Sequence, residues 1–304
     1  MAAESLSLPV LRRLEAESIH ILREVASEFE RPVLMYSVGK DSSVLLRLAQ
    51  KAFHPGRIPF PLLHVDTAYK FPEMYAFRDR VCAEVGVELR VLRNEPALAA
   101  DTNPWDLGTV KCCGLLKTQG LLDALRAGNY DAVIGGARRE EERSRAKERI
   151  YSFRDRHGQW DPKNQRPELW DLYNARAFKG ENIRVFPISN WTEFDVWQYI
   201  ERENLELPSI YYAHTRPVVR KAGGLLPVTD LTPAKPDDKV EYLKVRFRTV
   251  GDITCTAPVE SHADTVAKII AETAETTITE RGATRLDDQT SEASMEQRKK
   301  EGYF

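Results

Sequence analysis

Six consecutive residues, Ser37-Val38-Gly39-Lys40-Asp41-Ser42, bring two hydroxyls, a glycine, a lysine and an aspartate together directly after a short apolar run. A buried strand turning sharply into a helix leaves backbone N–H groups and the positive helix end aimed at one spot, which makes an anion site. Lys40 is the informative member: a cation at a helix N-terminus is misplaced by ~0.3–1 kcal/mol unless an anion lies beside it, and a polyphosphate reverses that sign. Gly39 lets the backbone approach closely, Ser37 and Ser42 supply hydroxyl donors for phosphate oxygens, and Asp41 caps the helix or faces a magnesium ion. The loop is not a Walker A motif, because Leu34 stands where that motif needs its first glycine. Taken alone, the six residues are also compatible with a capped turn carrying a solvated lysine.

Two further groups could reach the same place. Asp66-Thr67 closes a second apolar run, and a strand-end aspartate is either a turn former or a ligand-facing group. Gly135-Gly136 follows another apolar run and leads into Arg138, Arg139, Arg143, Arg145, Lys147 and Arg149 set among glutamates. On charge pattern this stretch reads as a salt-bridged, solvated helix. Its position gives Arg138 and Arg139 another use: after a strand end they fall at the sheet edge that holds Lys40 and converge on an oxyanion, with Arg143 a weaker member one turn on.

The elements that must position these groups follow from periodicity. Residues 11–29 carry apolar side chains at three- and four-residue steps and form a helix ending near Glu30. Residues 33–36, 62–65, 87–92, 132–134 and 183–188 are short apolar runs suited to buried strands. Helical patterns separate them after Lys40, after Pro72 and over residues 111–127, whereas residues 94–109 read as loop. Alternating strands and helices imply an α/β fold with a parallel, Rossmann-like sheet and right-handed crossovers. Residues 150–182, with Trp160, Trp170 and Tyr173, read as an arm over the active face. Thr192-Glu193-Phe194-Asp195 opens a helix through Glu203 with a capping-box pattern. The division expected is a catalytic domain over residues 1–205 and a smaller mixed region over 206–304, with a helix near residues 262–277 and a charged tail from Glu280 without a strong core pattern.

Composition narrows the function. A formal net charge of -2 argues against a chain whose main business is coating nucleic acid. No run approaches the ~20 apolar residues of a membrane span, and the first residues lack a secretory layout, so a cytoplasmic location without a membrane role is expected. Cys82, Cys112, Cys113 and Cys255 have no C-x-x-C spacing, no resident metal site is expected, and the vicinal pair reads as buried, reduced packing residues.

Ser37-Val38-Gly39-Lys40-Asp41-Ser42 after a buried strand resembles the pyrophosphate-binding loop of the PP-loop ATP pyrophosphatases, whose usual form has glycine where Val38 stands. The resemblance extends through residues 61–67, 135–149, 160–170 and 189–193 and the closing Gly302-Tyr303-Phe304, which are similar to the small, catalytic subunits of bacterial sulfate adenylyltransferases. It implies an adenine nucleotide alpha hydrolase-like fold and ATP, carried with Mg2+, as substrate. It also implies a nucleotide site of Ser37, Gly39, Lys40, Asp41, Ser42, Asp66, Thr67 and Gly136, with Lys40, Arg138, Arg139 and Arg143 acting on sulfate or the α-phosphate. The activity implied is ATP plus sulfate giving adenylyl sulfate and pyrophosphate, the entry step of sulfate assimilation, coupled to GTP hydrolysis on a larger partner subunit that docks on the C-terminal region. The alternatives are an adenylyl-sulfate or phosphoadenylyl-sulfate reductase, or another PP-loop adenylyltransferase; a reductase needs a Glu-Cys-Gly-x-His context that Ile253-Thr254-Cys255-Thr256 does not supply.

Overall fold

A computed structural model describes residues 2–178, 180–221 and 224–276, together with Glu280, Thr284 and Lys299. The chain starts with helix α1 (Ala2–Glu28) and then alternates β1 (Pro32–Met35), α2 (Lys40–Phe53), β2 (Leu62–Val65), α3 (Pro72–Val85) and β3 (Leu89–Leu92). Residues 94–109, expected to be loop, contain two short helices, Glu95–Ala99 and Pro104–Leu107, each opened by an asparagine side chain that caps its first turn. The helical pattern over 111–127 runs from Thr109–Cys113 through a π-turn at Gly114–Gln119 into α4 (Gly120–Gly128). β4 (Ala132–Ile134), β5 (Tyr151–Arg154), β6 (Asn182–Val185) and α5 (Glu193–Glu203) complete the first region.

The six strands lie in the order β3-β2-β1-β4-β6-β5. All are parallel except β5, which pairs antiparallel with β6. Because side chains alternate across a strand, Leu34, Leu62 and Ile134 face a core shared with α1, α2 and α5. Val33, Leu63 and Val133 face Leu121, Ala124 and Leu125 of α4 on the other side. The chain thus steps outward from β1 to β3 over one face and returns to β4 over the other. The strand order reverses between β1 and β4, and the loops after these two strands diverge from a crevice at their carboxyl ends.

Residues 138–149 form no continuous helix: the only helical turn is Arg143–Ala146, and although Arg145 pairs with Glu141, Arg138 is drawn to Asp41 and Glu148 to Arg154 and Lys299, outside the stretch. β5 was hidden inside the supposed arm. It starts beside Val185, at the carboxyl end of β6, and ends beside Asn182, so it carries the chain away from the active edge. Residues 173–178 and 180–182 consequently line a cleft of about 1210 Å³ with Phe29 and Asn129, at the amino ends of the strands. The last part of the expected arm therefore lies away from the active face, while Glu168 caps the amides of Ile150 and Tyr151 and Trp170 is 85% exposed.

The C-terminal region builds a second, antiparallel sheet of β7 (His214–Lys221), β8 (Gly224–Pro227), β9 (Val240–Arg246) and β10 (Val259–Glu260), followed by α6 (Val266–Glu275). Phe247, Ile253 and Ile269 belong to the same apolar core as β1 and α2, so this region is packed onto the first. Among the described residues, no helix is long and apolar enough to cross a membrane.

The capping box of α5 is formed on both sides. Thr192 Oγ1 accepts from the Asp195 amide at 3.0 Å, and Asp195 Oδ2 accepts from the Thr192 amide at 2.9 Å. Thr192→Ala removes the first of these and is expected to lower stability by about 1 kcal/mol, read from the midpoint of urea unfolding at an unchanged slope.

Candidate active site

Lys40 and Arg138 are the centre of the crevice, and both side chains are fully buried. Lys40 is the first residue of α2, after β1, and Arg138 follows β4, so the two strands that flank the reversal each deliver one cation. Close backbone approach makes this possible. A Cβ on Gly136 would sit 3.2 Å from the backbone carbon of Asp41, and one on Gly39 would sit 3.3 Å from Tyr211 Oη. Val38 adopts a left-handed conformation, φ 66°, which a β-branched residue reaches only under strain and which the glycine usual at this position takes freely.

Each cation is held from several sides. Lys40 Nζ donates to Asp41 Oδ2 at 3.2 Å, to the Arg248 carbonyl at 3.2 Å, and to Glu280. Its backbone amide donates to Tyr211 Oη at 3.0 Å. Arg138 Nε donates to Asp41 Oδ1 at 2.7 Å, while Nη2 donates to the other oxygen of Glu280. Arg248 Nη2 donates to Glu193 Oε2 at 2.6 Å. Three cations, Lys40, Arg138 and Arg248, are thereby matched with three carboxylates, Asp41, Glu193 and Glu280. Asp41 does not cap α2; its two oxygens accept from Lys40 and Arg138, and it lines the neighbouring cavity.

The electrostatics single out Glu280 as the weakest member. Burial works against the charge on Lys40 and Arg138, but Asp41 and Glu280 outweigh it and raise both pKa values. For Glu280, burial pushes the carboxyl up to about 7, opposed by Lys40 and Arg138 and reinforced by Glu193 and Asp41. These shifts pull in opposite directions across one contact, and the placement of a cation against each Glu280 oxygen favours the ionised form. Glu280 is thus a buried anion held between two cations.

Beside this network lies a cavity of about 190 Å³ bounded by Ser37, Ser42, His64, Gly136, Lys117 and Glu280. Ser42 Oγ donates to the Gly39 carbonyl at 2.9 Å, and Ser37 Oγ reaches Ser42 Oγ at 3.3 Å, so the hydroxyls brace the loop. Lys70 also faces the cavity and is paired with Asp252 at 2.6 Å. Of the anticipated residues, Ser37, Gly39, Asp41, Ser42 and Gly136 line the cavity, whereas Lys40, Arg138, Asp66 and Thr67 do not. Asp66 accepts from Tyr75 Oη at 2.7 Å and from the Ala68 amide at 2.9 Å, and Thr67 Oγ1 donates to Asp252 at 2.7 Å. Arg139, expected to join Arg138, turns away: its guanidinium donates to Asn190 and lies 3.9 Å from Glu168, because its backbone amide is tied to the Ser189 carbonyl. The Arg143 side chain lies outside the described residues. Tyr211, Arg248, Glu193 and Glu280 were not foreseen as site members; only Glu193 sat in a motif that had drawn attention.

Residues 31–258 match the phosphoadenosine phosphosulfate reductase domain family. The chain is 58% identical over 294 residues to the sulfate adenylyltransferase subunit 2 of Mycolicibacterium vanbaalenii, covering 97% of this chain and 94% of that one. It is 57% identical, with the same coverage, to the sulfate adenylyltransferase subunit 2 of Mycobacterium tuberculosis. The chain belongs to the sulfate adenylyltransferase subunit 2 branch of this family. Among solved structures, Candida glabrata FMN adenylyltransferase in complex with FMN and an ATP analogue is similar in fold, with a TM-score of 0.50, 13% identity, and coverage of 83% of this chain and 67% of that one.

Two outcomes test this geometry. If Lys40 and Arg138 take up an anion, it displaces Glu280, so Glu280→Gln is expected to tighten binding of inorganic pyrophosphate by about tenfold, or ~1.4 kcal/mol, in titration calorimetry; unchanged or weaker binding contradicts it. His64, whose Nδ1 lies 2.8 Å from the Tyr36 carbonyl, is held down to about 4 by burial and then by Lys70, from an ordinary 6.5. Between those values the unfolded chain takes up a proton that the folded chain refuses, so stability falls as pH drops from 6.5 to 4, by up to about 3 kcal/mol. His64→Asn is expected to flatten that part of the pH profile of urea unfolding.

Proposed function

We propose that the protein is the catalytic subunit of a sulfate adenylyltransferase: it binds ATP with its leaving pyrophosphate in the Lys40–Arg138 cradle and transfers the adenylyl group to sulfate. The observation that carries this is the cradle itself, a pair of fully buried cations at the strand-order reversal, already gripping the two oxygens of one carboxylate. Relatives more than half identical over nearly the full length, bearing that activity in their names, support it.

In this reading a sulfate oxygen attacks the α-phosphorus in line and pyrophosphate departs. Sulfate is already ionised at neutral pH, so no general base is needed. The protein's task is to hold two anions together against their repulsion and to stabilise the charge gathering on the leaving group. Lys40 and Arg138 do the second, with the first turn of α2 behind them, and magnesium arrives as part of the nucleotide. Ser37, Ser42, Gly39 and Gly136 shape the cradle, Asp41 keeps both cations aimed, and Asp66 and Thr67 stand at the nucleotide's flank. Arg143 serves the sulfate side, and Arg139 joins it when the loop after β4 releases its guanidinium from Asn190 on binding.

The mixed phosphoric–sulfuric anhydride is a high-energy product, so the reaction needs a supply of free energy. A larger GTPase subunit that docks on residues 206–304 is the partner this reading calls for, in the cytoplasm where ATP and sulfate meet.

Lys40→Met keeps the aliphatic stem and removes the charge. It is expected to lower sulfate-dependent pyrophosphate release from ATP, assayed with the co-purified GTPase subunit and GTP, by on the order of 10²–10³-fold, with circular dichroism unchanged. Undiminished release in that variant, or sulfite formation with thioredoxin by the wild type, overturns the assignment.

A further inference from the structure

The vicinal cysteines were expected to be inert packing residues, and Cys255 was set apart from them. The fold brings two of the three together. Cys113 ends the helix Thr109–Cys113 and Cys255 ends the turn Ile253–Cys255, 142 positions away, and their Sγ atoms are 3.7 Å apart. None of the four cysteines is in a disulfide. Cys255 is buried and Cys113 is only half-buried, so the pair has one member that solvent reaches and one that it does not.

Asp252 lies close enough to form a group of three possible metal ligands with these thiols. Its Oδ1, however, accepts from Lys70 at 2.6 Å and from Thr67 at 2.7 Å, both buried, so the carboxylate is already committed to a lysine. The two thiols are in van der Waals contact with each other, and the Thr254 hydroxyl lies 3.7 Å from Cys255 Sγ. We infer that Cys113 and Cys255 are an oxidisable dithiol, converted to an intramolecular disulfide by low-molecular-weight disulfides.

The roles follow from access. Cys113, as thiolate, attacks one sulfur of the small disulfide, forms a mixed disulfide and releases one small thiolate. Cys255 then gives up its proton and attacks the Cys113 sulfur, expelling the second small thiol. Two protein thiols are oxidised and one small disulfide is reduced to two thiols, so atoms and electrons balance. Cys112 is the poorer nucleophile, since burial, with Asp252 and Cys255 nearby, pushes its thiol up to about 11. The bond would tie together two walls of the nucleotide cavity: Val250 and Gly251 precede the turn that holds Cys255, and Lys117 follows Cys113 by about one helical turn. This inference stands apart from the reaction assigned above.

The test uses full-length protein, reduced, desalted and incubated with oxidised glutathione, then alkylated and mapped by peptide mass spectrometry. The expected result is a Cys113–Cys255 linkage within one chain, with two fewer titratable thiols, reversed by dithiothreitol. The linkage persists in Cys82→Ser and is lost in Cys113→Ser. Alkylation of both Cys113 and Cys255 after oxidation overturns the inference, as does a dominant linkage between chains or between Cys112 and Cys113. One equivalent of zinc in the reduced protein, lost in Cys113→Ser and Cys255→Ser, also overturns it, in favour of a metal site.

Discussion

A lysine and an arginine cannot both lie fully buried, side by side, without anions to match them. Leaving one buried charge of such a set uncompensated costs about 3–5 kcal/mol. Much of the site's construction answers that constraint. Asp41 bridges Lys40 and Arg138 from the helix that carries Lys40. Arg248 offers its carbonyl to Lys40 and is itself neutralised by Glu193, which sits at the first turn of α5 where negative charge is favoured. Glu280 closes the account by touching both cations. A substrate polyphosphate would bring more negative charge than one carboxylate, so the same constraint that draws Glu280 in also favours its exchange for the nucleotide.

The network fixes relations between distant parts of the chain. Tyr211 and Arg248 come from the C-terminal region, yet the Tyr211 hydroxyl accepts the first amide of α2 and the Arg248 carbonyl accepts from Lys40. The phosphate loop is therefore half-built by the second region, and residues 1–205 alone would lack those two contacts. Val38 fits the same logic. Its left-handed backbone is held because its side chain is fully buried and the residues on either side of the loop are pinned by β1 and α2.

Much of this was legible in the sequence and some of it could not be. The apolar runs at 62–65 and 132–134 coincide with β2 and β4, and the turn between β1 and α2 has the residues an anion site needs, because strand burial and helix-end chemistry are local properties. Arg138 was expected at the sheet edge from its distance to a strand end and lies there beside Asp41 and Glu280, whereas Arg139 faces Asn190, because adjacent residues leaving a strand point in different directions and no local rule says which one the crevice takes. The polar stretch after Gly136 was read as a helix from i to i+4 charges. One such pair, Arg145 with Glu141, is present, but Arg138 pairs across 97 positions with Asp41, and Lys299 with Glu148 from far down the chain. Such partners leave no periodic trace.

Glu280 is the sharpest instance of that limit. The sequence around it is charged and shows no core pattern, which ordinarily marks a solvated tail, yet Glu280, Thr284 and Lys299 are all buried. Hydropathy anticipates burial by apolar transfer, and none of these three is buried for that reason. Glu280 is drawn in by two cations. Thr284 Oγ1 donates to the Glu280 carbonyl at 2.8 Å, and its own carbonyl accepts from Ala257 at 2.8 Å. Lys299 pairs with Glu148 at 2.8 Å, with its ammonium 5.1 Å from the Trp160 ring centre. Contacts of this kind are charge-matched, cost desolvation on both sides, and yield little net free energy compared with an apolar core of the same area. A carboxylate held in this way is suited to exchange, because a phosphate can replace it without leaving Lys40 and Arg138 unmatched.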